Sequence, residues 1–307
     1  MSNVYVYEQG AMLKYKENRL IINYSENDFK SIPIENIDNI VIFGAIQVST
    51  KCVQQMLTRG INLTILSKNG SYFGRLESTG HVNINRQRLQ FRKSDDKNFS
   101  LNISKRFIKG KAANQRTILM RANKLLKNPE LTNIVLKMSV YSKNIDNAKS
   151  IEELMGIEGH LAKMYYKGVS NVIDKEYSFS QRTKRPPKDP FNSVLSFGYT
   201  LLHYEIFTIA EYKGLNPYAG FLHSDRHKHP ALCSDLMEEW RPMLIDSLAI
   251  ALLNNNKIKN SNLGVFLLQK FYLRIFSTFF SVQNYQIPIF IFVNFYFQNV
   301  HFICINI

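Results

Sequence analysis

The sequence predicts an α+β protein, with an N-terminal mostly-β, sandwich-like domain followed by an all-α C-terminal domain. Three observations predict it. The first 80 residues fall into short runs rich in Val, Ile, Tyr and Phe, separated by turn formers. From about residue 95, apolar residues recur at helical spacing through long stretches with few breakers. The charge changes in step: residues 1–80 carry 8 basic and 7 acidic side chains, and residues 81–190 carry 23 and 10, a net +13. A chain of 307 residues is long enough for two domains, and 45% hydrophobic with 21% charged residues excludes an intrinsically disordered one. Cys52, Cys233 and Cys304 are too few and too scattered for a disulfide framework, which fits a reducing compartment. MSNVYVYEQG shows no basic segment followed by an apolar one, so no secretory signal is read and a cytoplasmic location is expected. The overall charge of +15 points to a polyanionic partner.

The strand-like runs are Val4–Tyr7, Met12–Tyr15, Leu20–Tyr24, Ile32–Ile34, Ile37–Phe43, Ile61–Leu66 and Tyr72–Leu76. Gln9-Gly10, Ser25 to Asp28 and Asn69-Gly70 supply turns between them. One helix interrupts the set, with Ser49 as N-cap, Val53, Met56 and Leu57 at helical spacing and Gly60 at its end. The near-neutral charge of residues 1–80 suits protein contacts better than a main nucleic-acid surface. Residues 81–94 are expected as a linker and 95–260 as the helical domain.

A long helix is expected over Asn102–Lys127, placing Ile103, Phe107, Ile118, Leu119 and Leu125 among Lys105, Arg106, Lys109, Lys111, Arg116, Arg121, Lys124 and Lys127. A solvated face explains such a run in general, but no acidic residue occurs from Asn98 to Pro129, where a merely soluble helix interleaves both signs. Ser150-Ile-Glu-Glu153 fits a capping box opening a helix to Tyr166. The loop 181–190 is basic and proline-rich, and Asp189 with Pro190 reads as the start of a helix ending at Gly214. A last helix begins near Ala231, with Leu236, Trp240, Leu244, Leu248 and Leu252 at i, i+4 spacing.

Two features carry potential chemistry. Glu158 falls on the apolar stripe of Leu154, Leu161 and Tyr165, where a carboxylate must be paired or hold a metal; a buried salt bridge is the plainer alternative. Asp235, Glu238 and Glu239 crowd one helix at i, i+3 and i+4, so a cation between some of them would relieve repulsion, although a solvated acidic face has the same spacing. His223 precedes Glu238 by one loop and can fold back to it. Glu158, His223 and Glu238 then form a site for Mg²⁺ or Mn²⁺, the imidazole favouring Mn²⁺. A rival zinc reading takes His223, His227, His229 and Cys233, without a standard finger spacing. No phosphate-loop, nucleophile-elbow or C-x-x-C motif occurs.

Five segments in order carry a resemblance: Gly156-Ile-Glu-Gly159, Asn192-Ser-Val-Leu-Ser-Phe-Gly-Tyr199, Gly214-Leu-Asn-Pro-Tyr218, Gly220-Phe-Leu-His223 and Asp235-Leu-Met-Glu-Glu-Trp-Arg-Pro242. Together, and over residues 1 to about 260, the chain resembles the CRISPR-associated endonuclease and integrase family Cas one. The resemblance implies a β domain that mediates homodimerisation and a helical, metal-binding catalytic domain. It implies metal ligation by Glu158, His223 and Glu238, with Asp235 as the supporting acid and Tyr165, Asn192 and Tyr199 close to the site. It also implies a small partner, Cas two, and DNA: short fragments whose 3′-hydroxyls are joined to a CRISPR repeat by transesterification. Lys105, Arg106, Lys109, Arg116, Arg182, Lys184, Arg185 and Arg226 are the expected contacts to DNA phosphates. Lys228, His229 and Ala231 depart from the family pattern after His223. A stand-alone structure-specific nuclease and a catalytically impaired nucleic-acid-binding protein are the alternatives.

Residues 247–307 contain no Asp or Glu and hold 10 of the 21 phenylalanines. Pro288, Asn294, Gln298, Asn299 and His301 interrupt the apolar run, against a transmembrane helix. The tail 261–307 is read as atypical, its native frame lost shortly after Asn260.

Overall fold

The computed structural model describes residues 2–25, 27–68, 72–78, 83–184 and 186–254, and the chain divides after Val82 into two compact units. The tail expectation therefore lies outside the described residues. The architecture is the expected one, a strand-rich unit followed by a helical one.

The first unit contains strands β1 (Ser2–Val6), β2 (Met12–Lys16), β3 (Arg19–Asn23), β4 (Phe29–Pro33), β5 (Ile37–Phe43) and β6 (Gln47–Val48). Helix α1 (Thr50–Thr58) and strands β7 (Asn62–Leu66) and β8 (Tyr72–Leu76) complete it. One sheet has the order β1-β5-β7-β8, parallel except for β8; the other has the order β4-β3-β2-β6. Val4, Leu13, Leu20, Ile22, Ile40, Ile42 and Leu63 from both sheets share a core with Cys52 and Met56 of α1. β5 lies between two parallel partners, and its buried run Ile40–Phe43 is the continuous apolar pattern such a strand requires. The Ser49 hydroxyl caps α1 at the Cys52 N–H (3.3 Å), as expected. The two-residue β6 escapes sequence reading because it is too short to alternate.

The second unit is helical. It contains α2 (Ile84–Asp95), α3 (Lys97–Leu126), α4 (Pro129–Tyr141), α5 (Asn144–Asn147), α6 (Ile151–Ser170), α7 (Pro190–Tyr212), α8 (Ala231–Met237) and α9 (Ser247–Asn254), with a π-helical segment over Arg241–Asp246. α2 occupies most of the stretch expected as a linker. It is polar, and what anchors it is the buried Gln90: its amide donates to the carbonyls of Asn216 (2.9 Å) and Ala219 (2.8 Å) and accepts from the Asn216 N–H (2.7 Å). Hydrogen bonding of this kind leaves no apolar periodicity to read. α3 starts earlier than expected because Asp96 caps it through the Asn98 and Phe99 N–H groups.

α3 packs against α4 and α6, burying Ile103, Phe107, Ile118 and Leu119, whereas Leu125 is exposed. Ser150 and Asp189 cap α6 and α7 as expected, and Gly214 follows α7 with φ +71°. The last expected helix is not continuous. Leu236, Trp240, Leu244, Leu248 and Leu252 are all buried, but the α-helix stops at Met237. Pro242 has no N–H to give the Glu238 carbonyl, so the chain turns through Glu238 and Glu239 and re-forms as the wider π segment. Among the described residues, no helix is long and apolar enough to cross a membrane.

Candidate functional site

The loop before α8 approaches the helix closely. A Cβ on Gly220 would stand 2.7 Å from the Ala231 Cβ and 3.0 Å from Asp235 Oδ2, so only glycine allows this approach. Asp235, fully buried, then gathers the loop. Its Oδ2 accepts from the N–H groups of Phe221 (2.6 Å) and Leu222 (3.0 Å), and its Oδ1 from the His223 N–H (2.9 Å). The same Oδ1 lies 2.7 Å from His223 Nδ1. A carboxylate only accepts, so this contact places the ring proton on Nδ1 and leaves the lone pair of Nε2 for a ligand. Asp235 thus positions His223.

The other two residues of the expected triad meet around a lysine. Lys111 on α3 is buried, and its Nζ donates to Glu158 of α6 and to Glu238 Oε2 at 2.5 Å. Arg241 Nη1 donates to the remaining oxygen, Glu238 Oε1, at 2.6 Å. Burial opposes ionisation of Glu238, but Arg241, then Lys111, outweigh it and hold the carboxyl down at about 2, with His223 adding to the effect. Burial likewise disfavours the Lys111 ammonium, yet Glu238 and Glu158 raise its pKa above that of a free lysine. The plainer alternative for Glu158, an ion pair, is therefore what the structure contains. Among the described residues, no three His, Cys, Asp or Glu side chains are gathered closely enough to hold a metal as they stand. Lys111 and Arg241 meet Glu238, whereas Asp235 is taken up by the loop and His223; the Glu239 carboxylate lies against Gly110 of α3, where a Cβ would come within 2.7 Å of Oε2.

Behind this centre lies a second buried carboxyl, Asp246. The Tyr199 hydroxyl donates to its Oδ1 at 2.5 Å, and Tyr166 and Tyr199 share a hydrogen bond of 3.1 Å. The Tyr165 hydroxyl is fully buried and faces the same carboxyl but falls short of hydrogen-bond geometry. Burial pushes Asp246 up to about 6 against the lowering pull of Tyr199 and the neighbouring cations. The ring of Tyr199 carries two guanidinium groups, Arg241 at 5.1 Å and Arg182 at 5.4 Å from its centroid. Arg182 also donates to Asn192 Oδ1 (2.8 Å) and Ser196 Oγ (3.2 Å). Asn192, buried, binds the Gln181 carbonyl (2.9 Å) and the Thr183 N–H (3.1 Å), clamping the basic loop onto the start of α7.

The expected phosphate contacts are unequally placed. Lys105 donates to the Asp146 carbonyl (2.9 Å), Lys109 pairs with the Asp146 carboxylate, and Arg116 binds Ser139 Oγ (2.9 Å). Lys109 and Arg116 line a cleft of about 220 Å³ between α3 and the α4–α5 region. Arg106 is exposed on α3. Arg182 is turned inward, as described, while Lys184 beside it is exposed; partial burial, Arg241 and Arg182 lower its pKa. Arg226 is exposed on a tight turn closed by the His229 N–H to Arg226 carbonyl bond, with Lys228 at φ +60°. Arg185 lies outside the described residues. The rival zinc set does not assemble: His229 Nε2 lies 3.2 Å from Ser234 Oγ, and Cys233 is buried against the Pro217 carbonyl.

Lys111, Arg241, Tyr166 and Asp246 belong to this centre and were not singled out from the sequence as site residues. Lys111 carried a signal. Phe107, Lys111, Gln115 and Leu119 recur every four residues on one buried stripe, the same anomaly that marks Glu158 on α6. Asp246 carried none, because its burial follows from the π segment.

The family model described as CRISPR associated protein Cas1 matches residues 4–279, passing the point near residue 260 where the resemblance was read to end. A CRISPR-associated endonuclease Cas1 of Mycobacterium tuberculosis is 33% identical over 270 residues, covering 86% of this chain and 79% of the relative. A solved CAS1 protein from Thermotoga maritima shares the fold, with a TM-score of 0.79, 21% identity and 97% of each chain covered. A casposase bound to integration product does so with a TM-score of 0.75, 21% identity and coverage of 89% of this chain and 82% of its own. A chain of a Cas6-RT-Cas1–Cas2 complex aligns with a TM-score of 0.72 at 25% identity, covering 85% of this chain and 28% of that one. By sequence over most of its length and by fold, this chain belongs to the Cas1 family of CRISPR-associated endonucleases.

Proposed function

We propose that this Cas1 chain is a divalent-metal-dependent DNA endonuclease and integrase that joins the 3′-hydroxyl ends of short DNA fragments to a CRISPR repeat. The observation that carries the reading is the convergence of Glu158 and Glu238 on one positive charge, next to an imidazole whose Nε2 is left free by Asp235. Two carboxylates and one imidazole are the donor chemistry of Mg²⁺ or Mn²⁺, and these three residues would hold it. Such an ion, when bound, stabilises negative charge on a transferring phosphodiester.

The chain's own residues prepare for that reaction. Arg241 keeps Glu238 ionised, and Asp235 fixes the His223 tautomer. Lys184, exposed next to Arg241 and Arg182, offers a positive surface for the phosphate of an approaching strand. A DNA 3′-hydroxyl as nucleophile joins strands and water cleaves them, so one site serves both outcomes. The Cas1–Cas2 complexes and the casposase bound to integration product among the structural relatives support DNA and a Cas2 partner for this chain. In this reading the strand-rich unit forms a homodimer.

The test is strand transfer in Mn²⁺ or Mg²⁺, with and without Cas2. Glu158→Ala and His223→Ala are expected to abolish joining while retaining most DNA binding by gel shift. Joining by both variants at the wild-type rate would remove the assignment. Cleavage without joining, with Cas2 present, would favour the stand-alone nuclease.

A further inference from the structure

The charge around Glu158 and Glu238 is already balanced. Two carboxylates face two cations, the buried Lys111 and the partly buried Arg241, and every contact is a direct hydrogen bond. Adding a divalent ion to this arrangement would leave two positive charges in excess in a site where Glu238 is only 3% exposed. Arg241 is held from two sides, by Glu238 and by the face of Tyr199, whereas among the described residues the charged head of Lys111 hydrogen-bonds to the two carboxylates. The Glu158 side chain is 24% exposed, so the Lys111 contact opens toward solvent on that side.

We infer that Lys111 is a built-in competitor of the metal: its ammonium holds Glu158 and Glu238 together in the metal-free protein and leaves them when a divalent ion binds. The ammonium is a monovalent stand-in at the point where both carboxylates converge. Metal affinity in this chain is therefore the affinity of the carboxylates less the free energy of displacing Lys111. Lys111 is a positioning residue in this sense, since it sets the spacing of the carboxylates before the ion arrives. The inference rests on the metal reading above and adds to it a determinant of affinity.

The experiment is isothermal titration of the full-length protein with Mn²⁺ alone, without DNA, comparing wild type, Lys111→Met and Lys111→Arg. Methionine keeps the length and apolar stem but removes the competing charge, and is expected to tighten Mn²⁺ binding at least tenfold. Arginine keeps the charge and grips carboxylates in two-pronged fashion, so it is harder to displace and is expected to weaken binding at least tenfold. Should the methionine variant not fold, the arginine variant still decides. Binding by all the folded proteins with equal affinity, or weaker binding by Lys111→Met, would overturn the competitor role while leaving the metal site standing. Absence of Mn²⁺ binding in every protein would overturn both.

Discussion

Two buried carboxyl groups, Glu238 and Asp246, flank the Pro242 break, and their chemistry diverges. Glu238 is 3% exposed and Asp246 is 1% exposed, so both lose nearly all hydration. Glu238 meets Arg241 and Lys111 directly and is held down at about 2. Asp246 meets the hydroxyl of Tyr199, with the same cations acting only from further away, and is pushed up to about 6. Burial fixes the size of what must be compensated; direct contact with a cation fixes the sign of the outcome. The first carboxylate is ready to act as an anion, and the second is a hydrogen-bonded support for Tyr199, whose ring in turn carries Arg241.

The largest expected effect comes from taking away one of the two cations that make Glu238 different. Arg241→Leu leaves the buried Glu238 carboxylate with Lys111 but without its second cation, and is expected to destabilise the fold by about 3–5 kcal/mol in urea unfolding at neutral pH. A loss below about 1 kcal/mol would mean that the Glu238–Arg241 contact contributes little.

Next in size is the opposite pH dependence of the two carboxyl groups. Glu238, lowered from 4.5 to about 2, contributes stability that is full above about 4.5 and is lost as pH falls toward 2. Asp246, raised from 3.8 to about 6, acts the other way: its contribution is full below 3.8 and is lost as pH rises through 6. Each is worth about 3 kcal/mol to an order of magnitude. Unfolding free energies measured between pH 3 and 7 should therefore lose their low-pH fall in Glu238→Gln and their fall between about pH 4 and 6 in Asp246→Asn. Unchanged slopes in either variant would contradict the corresponding shift.

A smaller effect sharpens the same contrast. Tyr199→Phe removes the donor at 2.5 Å from Asp246 and is expected to destabilise by roughly 1.5–3 kcal/mol, moving the fall in stability to higher pH. The strand-rich unit gives the smallest: Ser49→Ala removes the α1 cap for about 1 kcal/mol, measured by thermal unfolding, with no change in either pH slope.

Much of the fold was legible because local chemistry decided it. Ser49, Ser150 and Asp189 cap the helices they were expected to cap, and the run Ile37–Phe43 is a strand with those bounds. α2 was not legible, because Gln90 holds it through hydrogen bonds to residues more than a hundred positions away. In the site, Glu158 was visible as a carboxylate on an apolar stripe, but Lys111 shows the same signature on α3 and answers it. Arg182 was read as a phosphate contact from its basic loop, and its partners Asn192, Ser196 and Tyr199 turn it inward.

The sequence by itself determined the order of elements, the caps, the change from strands to helices and the identity of the acidic and imidazole side chains. Those depend on neighbours a few residues apart, which the chain carries with it. Tertiary structure alone decided which charge each buried group meets: Lys111 between Glu158 and Glu238, His223 on Asp235, and Asp246 against Tyr199. The physical reason is that a buried ion is tolerated only through contacts made across distant elements, and no local pattern specifies those partners.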